Sequence, residues 1–234
     1  MSPAWNLLAD ASLTQYLYQD LDAYNSLALD ASLGGAWHAG PSQVVLKANA
    51  QAYQLDGEDF RELLGGMAQY IYSASDRSQL SAYLQSTRIS YDTQSIRDTR
   101  RDTLGVAWSQ AVTWWRQPVV YLGLYGGQED PDNAAFKRFG QQFAGLRAGG
   151  SVFVSTRAQI SASLSAEDRQ FDAVDPTFLA TREDTQYDLN LGLGYRLGRH
   201  LSVRPNVSFT RNDSNVVIND FKRHTLNVDI RYER

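Results

Sequence analysis

Tyr187-Asp188-Leu189-Asn190-Leu191-Gly192-Leu193-Gly194-Tyr195-Arg196-Leu197 decides the fold. Every second residue is apolar, and the residues between are Asp, Asn, Gly or Arg. Period two is the period of a β-strand, whose side chains alternate between two faces. The next two segments repeat the pattern. Leu201, Val203, Pro205, Val207 and Phe209 alternate with Ser202, Arg204, Asn206 and Ser208, and Leu226, Val228, Ile230 and Tyr232 alternate with Asn227, Asp229 and Arg231. A soluble sandwich turns such a polar face to water. A membrane barrel turns it to the lumen and shows the apolar face to lipid.

Working outward from this stretch, the same rhythm predicts about twelve strands. They centre on Trp5–Tyr18, Leu27–Leu33, Val44–Tyr53, Leu64–Tyr72, Gln79–Asp92, Leu104–Trp108, Val120–Tyr125, Leu146–Val154, Ala158–Leu164 and the three segments above. The links alternate in length. Short ones follow the even strands: 38–41, 73–76, 116–118, 155–156 and 198–200. Longer, charged ones follow odd strands, the clearest being 93–101, 126–139, 166–184 and 211–221. Short turns on one rim and long loops on the other mark an outer-membrane barrel, whereas Greek-key sandwiches have no reason to sort their loops this way. An even strand count puts both termini on the short-turn rim. Trp5, Trp37, Trp114 and Trp115 fall there too, as expected of an interfacial girdle, where an indole buries its ring and keeps its N–H wet. Residues 58–64 and 132–139 are the places where a single helical turn is expected.

Composition is compatible with this reading. The chain has 234 residues, 43% of them apolar and 12% aromatic, with 13 Tyr and 5 Trp. Its mean hydropathy is negative, which a barrel permits because each strand needs apolar residues on one face only. No apolar run reaches the roughly 18 residues of a membrane helix. A net charge of −4 argues against a nucleic-acid binder. Zero Cys excludes disulfides and thiolate metal sites. Met1-Ser2-Pro3-Ala4-Trp5 has neither the basic nor the apolar region of a signal peptide. Residues 1–234 therefore read as one outer-membrane barrel domain, a mature or excised form.

The C-terminal hairpin carries a family resemblance. Arg204-Pro205-Asn206-Val207-Ser208-Phe209 leads into Asn212-Asp213-Ser214-Asn215, then Phe221-Lys222-Arg223 and the final strand. This resembles the C-terminal barrel of tetratricopeptide-repeat outer-membrane proteins, and most of all the surface lipoprotein assembly modifier family. The resemblance implies the membrane half of a surface lipoprotein export device, here without its periplasmic repeat domain. It also implies as partners outer-membrane lipid, an exported lipoprotein or small solute, and the barrel assembly machinery.

Candidate functional residues lie on the polar faces. Lys47, Arg147, Asp188, Arg196, Arg204, Asp229 and Arg231 all have inward parity. Arg196, Arg204 and Arg231 fall on the last three strands and form a basic ladder, with Asp188 and Asp229 as prospective counter-ions. Such groups set ion selectivity or crosslink the wall. The histidines His38, His200 and His224 are dispersed, and no HExxH or GxSxG motif occurs. The acids Asp168, Asp172, Asp175, Glu183 and Asp184 cluster in the longest predicted loop and read as a solvated surface. Gly192-Leu193-Gly194 lacks the following helix that a nucleotide loop needs; glycines here read as relief for curvature or as room left in the lumen. The expectation is an all-β, up-and-down transmembrane barrel of the bacterial outer membrane, non-enzymatic and without cofactor or metal, serving translocation. A small passive pore, an outer-membrane hydrolase and a soluble lipocalin-like binder are the alternatives.

Overall fold

A computed structural model describes residues 4–20, 22–113 and 116–232. Twelve antiparallel strands form one sheet in strict chain order. They are β1 (Ala4–Tyr16), β2 (Ser26–Ala39), β3 (Ser42–Leu55), β4 (Glu58–Ser75), β5 (Ser78–Tyr91), β6 (Thr99–Ala111), β7 (Val119–Pro131), β8 (Gln141–Phe153), β9 (Ala158–Asp175), β10 (Ala180–Arg196), β11 (Leu201–Ser214) and β12 (Phe221–Tyr232). Each hairpin pairs with the next, so the meander is of outer-membrane barrel type. Among the described residues β1 and β12 are not paired with each other. Every residue of β12 is exposed, as is all of β1 except the half-buried Leu8.

Registers sort the side chains as the alternation predicts. Leu189, Leu191 and Tyr195 share one face with Leu164, Ala162, Phe209, Val207 and Val203 on the flanking strands. Asp188 and Asn190 share the other with Ser165, Ser163, Thr210 and Ser208. The apolar face is the exposed one: Leu46, Leu64, Leu84, Leu104, Leu124 and Leu191 are all exposed, while the residues nearly sealed from solvent include Asp184 and Asn212. This inversion suits a protein whose surroundings are hydrocarbon.

The apolar band ends sharply toward the long-loop rim. On the outward face Ala166 gives way to Asp168 on β9, Tyr187 to Thr185 on β10, Leu104 to Asp102 on β6 and Phe209 to Arg211 on β11. From Tyr187 to Tyr195 the band covers ~26 Å along the strand at ~3.3 Å per residue, matching the ~25 Å lipid belt of such barrels. Above it the strands continue. This corrects the expected loops. Most of 166–184 is strand, and its link is 176–179; 126–139 contracts to 132–140 and 211–221 to 215–220. Asp168, Asp172, Asp175, Glu183 and Asp184 are strand residues, so the solvated loop expected of them is not there. Outside the lipid both faces turn polar and the alternation disappears, but backbone pairing persists. Residues 58–64 are likewise strand, not helix. Asp56-Gly57 forms a two-residue turn with φ of 54° and 78°, the two positive values of a type I′ hairpin. The expected turn within 132–139 is present as a 3-10 segment, Ala134–Phe139.

Candidate functional site

The inner wall holds the polar side chains, and its two ends differ. Toward the long-loop rim the charges are paired, within a strand or across to the next. Glu129 accepts from Thr99 Oγ1 at 2.8 Å and Gln141 Nε2 at 3.0 Å, and lies 3.7 Å from Arg101 Nη1. The Arg101 guanidinium sits 4.1 Å from the Phe143 ring centre. Glu167 accepts from Tyr125 Oη at 2.8 Å and from Arg169, which also donates to Gln186 at 3.1 Å. Gln186 Nε2 and Thr210 Oγ1 donate to Asp188 at 2.8 and 2.7 Å. Arg182 pairs with the fully buried Asp184 and lies over Phe171 at 4.5 Å. The network stitches β6 to β11 by side chains as well as backbone. Buried polar groups so satisfied are rigid, because losing one partner strands another in a low-dielectric wall.

Below this network a cavity of about 400 Å³ opens, lined by Tyr83, Arg101, Tyr121, Tyr125, Arg147 and Glu167 among others. Three tyrosines lie flat over glycines on neighbouring strands. A Cβ on Gly105 would stand 2.4 Å from the Tyr83 ring, and one on Gly145 2.5 Å from the Tyr125 ring; Gly149 bears the same relation to Tyr121. Gly105, Gly145 and Gly149 therefore serve as seats for rings in this half of the wall.

Each residue expected to be luminal has inward parity. Lys47 bonds Asp10 at 2.8 Å, joining β3 to β1. Arg147 stands opposite Gly123 and Ser165, its guanidinium carbon 5.8 Å from the Tyr125 ring centre. Arg196 and Arg231 are both in register with Ser202, and Arg204 is in register with Asp229, so the three arginines do lie together on β10–β12. Asp188 is not their counter-ion. It lies eight residues up β10 from Arg196, roughly 26 Å at strand rise, and is held by Thr210, Gln186 and Ser165. The residues missed by sequence reasoning are Arg101, Glu129, Arg169, Glu167 and Arg182. Their signal was hidden because these segments read as loops.

Outward aromatics gather at the short-turn rim. Trp5 and Trp37 are register partners, and Tyr70, Tyr72, Trp108, Tyr195 and Tyr232 continue the belt. Tyr70 Oη bonds Ser42 Oγ at 2.9 Å and Trp108 Nε1 donates to Ser78 Oγ at 3.2 Å. Polar tips thus point to the turns and rings to the apolar band, as at a headgroup boundary. Trp114 and Trp115 lie outside the described residues.

The sequence profile of surface lipoprotein assembly modifiers matches residues 1–233. The chain belongs to that family. Solved barrels share the fold alone. OmpT, an outer membrane protein of Vibrio cholerae, has a TM-score of 0.52 at 8% identity, covering 98% of this chain and 96% of that one. Its trimer form has a TM-score of 0.53 at 8% identity, covering 99% of both chains. The copper transporter OprC has 0.53 at 12% identity, covering 99% of this chain and 46% of that one. No curated protein matches the sequence. This assembly modifier is a bacterial outer-membrane β-barrel protein with a role in surface lipoprotein assembly.

Proposed function

We propose that this assembly modifier is a non-enzymatic translocation barrel that passes surface lipoproteins across the outer membrane. The observation that carries this reading is a polar, inward-facing wall whose strands β1 and β12 are unpaired with each other among the described residues. A lipoprotein poses a two-phase problem. Its polypeptide needs an aqueous path, because unpaired backbone groups are costly in hydrocarbon, while its acyl chains belong in hydrocarbon. A polar lumen with a lateral seam serves both at once. Insertion by the barrel assembly machinery belongs to the same reading. Catalysis has less support. His38 meets Asn6 at 3.2 Å, His200 lies beside Tyr232, and His224 packs against Phe209; the three sit apart from one another and from the carboxylate network.

The test closes the seam. The chain has no native Cys, so Ser12→Cys on β1 and Asn227→Cys on β12 can be bridged by a short bismaleimide. Surface lipoprotein is then read by protease shaving of intact cells. Bridging is expected to lower surface display at least tenfold, with each single variant unaffected. Undiminished display in the bridged protein overturns the lateral route. A passive pore, the second reading suggested by the 400 Å³ cavity, would show steady planar-bilayer conductance and no effect on lipoprotein display.

A further inference from the structure

The short-turn mouth of β9–β11 has a different character from the rest of the wall. A cavity of about 100 Å³ is lined by Arg157, Arg196, Arg199, His200 and Arg204, and no Asp or Glu lines it. Among the described residues no ion pair joins Arg157, Arg196, Arg199 or Arg204 to a carboxylate. Elsewhere on the wall Lys47, Arg101, Arg169 and Arg182 have acidic partners, and Arg147 lies near the Tyr125 ring. Asp229, in register with Arg204 on β12, lies outside the lining, and four guanidinium groups around one space repel each other until an anion enters.

The backbone loosens beside this cavity. The β10–β11 pairing runs to Gly192–Asn206 and resumes at Tyr195–Val203, passing over Leu193–Gly194 and Arg204–Pro205. Proline has no N–H to donate, so a ladder lapses where it stands. The cavity also straddles the wall. Arg196, Ser202 and Arg204 have inward parity, whereas Tyr195 and Leu201 face outward at the aromatic belt. β11 is one strand from the free edge of β12.

We propose that this cavity binds the phosphate of an anionic phospholipid at the short-turn face of the membrane. The chemistry favours a tetrahedral oxyanion. A lipid phosphodiester sets two non-bridging and two ester oxygens at the corners of a tetrahedron and so meets guanidinium forks from several directions, where a carboxylate offers two oxygens in one plane. A space of this size holds one such group. Tyr195 and Leu201 supply the apolar contact that the glycerol end of a lipid needs and a free ion does not. Basic pockets at headgroup depth are the usual form of such sites. The site is independent of the translocation reading.

The test uses refolded protein in a neutral detergent and native mass spectrometry. Dioleoyl phosphatidylglycerol, dioleoyl phosphatidylcholine, inorganic phosphate and a short polyglutamate are titrated separately. Phosphatidylglycerol is expected to bind at least tenfold tighter than phosphatidylcholine. Arg157→Gln/Arg199→Gln, confined to turns, should abolish most of that preference, and Arg196→Gln/Arg204→Gln should do the same from the strands. Heat-modifiable migration on gels reports folding, and the turn variant keeps the test sharp if the strand variant misfolds. Phosphate binding as tightly as phosphatidylglycerol overturns the lipid in favour of a free oxyanion. Preference for polyglutamate, or a phosphatidylglycerol preference surviving the turn variant, overturns the site itself.

Discussion

Single residues divide cleanly by parity, and the division has measurable weight. Leu191 faces outward between Ala162 and Val207, while its neighbour Asn190 faces inward between Ser163 and Ser208. Leu191→Arg is expected to cost about 2–4 kcal/mol near the midplane, because a cation there meets hydrocarbon. Asn190→Arg should cost far less. Urea titration of folding into vesicles measures both; equal tolerance would contradict the assigned faces. Gly145 makes a second case. The Tyr125 ring and the Ala166 carbonyl occupy the space of any added side chain. Gly145→Val should destabilise by about 1–3 kcal/mol through overpacking, and the companion Tyr125→Ala should relieve part of that penalty in the same titration. Parity was readable from sequence at Leu191. The ring over Gly145 was not, since it comes from a neighbouring strand twenty residues away in the chain.

Hairpins carry the next lesson. β9 and β10 run past the apolar band into water, closing with 176–179. Periodicity saw a charged loop from 166 to 184 because outside lipid the outer face needs no apolar residues. Pairing continues there through the backbone ladder, with one register shift between Thr181 and Glu183, and Glu167, Arg169 and Asp184 brace it from within. Protease applied to intact cells should therefore spare 166–184 and cut first within 17–25 or 132–140, the longest links on that rim. Mass-spectrometric mapping of the released peptides checks this. Cutting only after the outer membrane is permeabilised would place this rim in the periplasm instead.

At the scale of the molecule, charge is segregated along the wall. Paired acids and bases occupy the long-loop half, and the arginines of β10–β12 stand at the opposite mouth. Cations on a lumen wall favour anions. Replacing Arg196, Arg204 and Arg231 together by Ser should shift the reversal potential of any single-channel current toward cation selectivity, with folding preserved. An unchanged reversal potential would remove these residues from the conduction path. The edges are the second whole-molecule feature. Hydrogen exchange in detergent should be slow from β2 to β11 and faster in β1 and β12, since an edge strand offers half of its backbone groups to solvent. Uniform protection across all twelve strands would mean that the seam is closed.

The strand period, the number of strands, their order as successive hairpins and the side chains that share a face are all readable in the chain's alternation. These follow from local chemistry, since a two-residue repeat sets parity; the Asp56-Gly57 turn, which sets the β3–β4 register, emerged only from the structure. Inward parity for Arg147, Arg196 and Lys47 was legible for that reason, and so was the placement of Trp5 and Trp37 at the short-turn rim. Only the tertiary structure decided which inward residues meet. Asp188 belongs to Thr210 and Gln186 and not to Arg196, Tyr125 belongs to Glu167, and Arg101 lies over Phe143, because stagger between strands sets height on the wall and no single segment encodes it. It also decided where strands outlast the membrane and that β1 and β12 are not paired with each other among the described residues. Those outcomes depend on backbone pairing and on the curvature summed over twelve strands, to which the side-chain pattern of any one strand is blind.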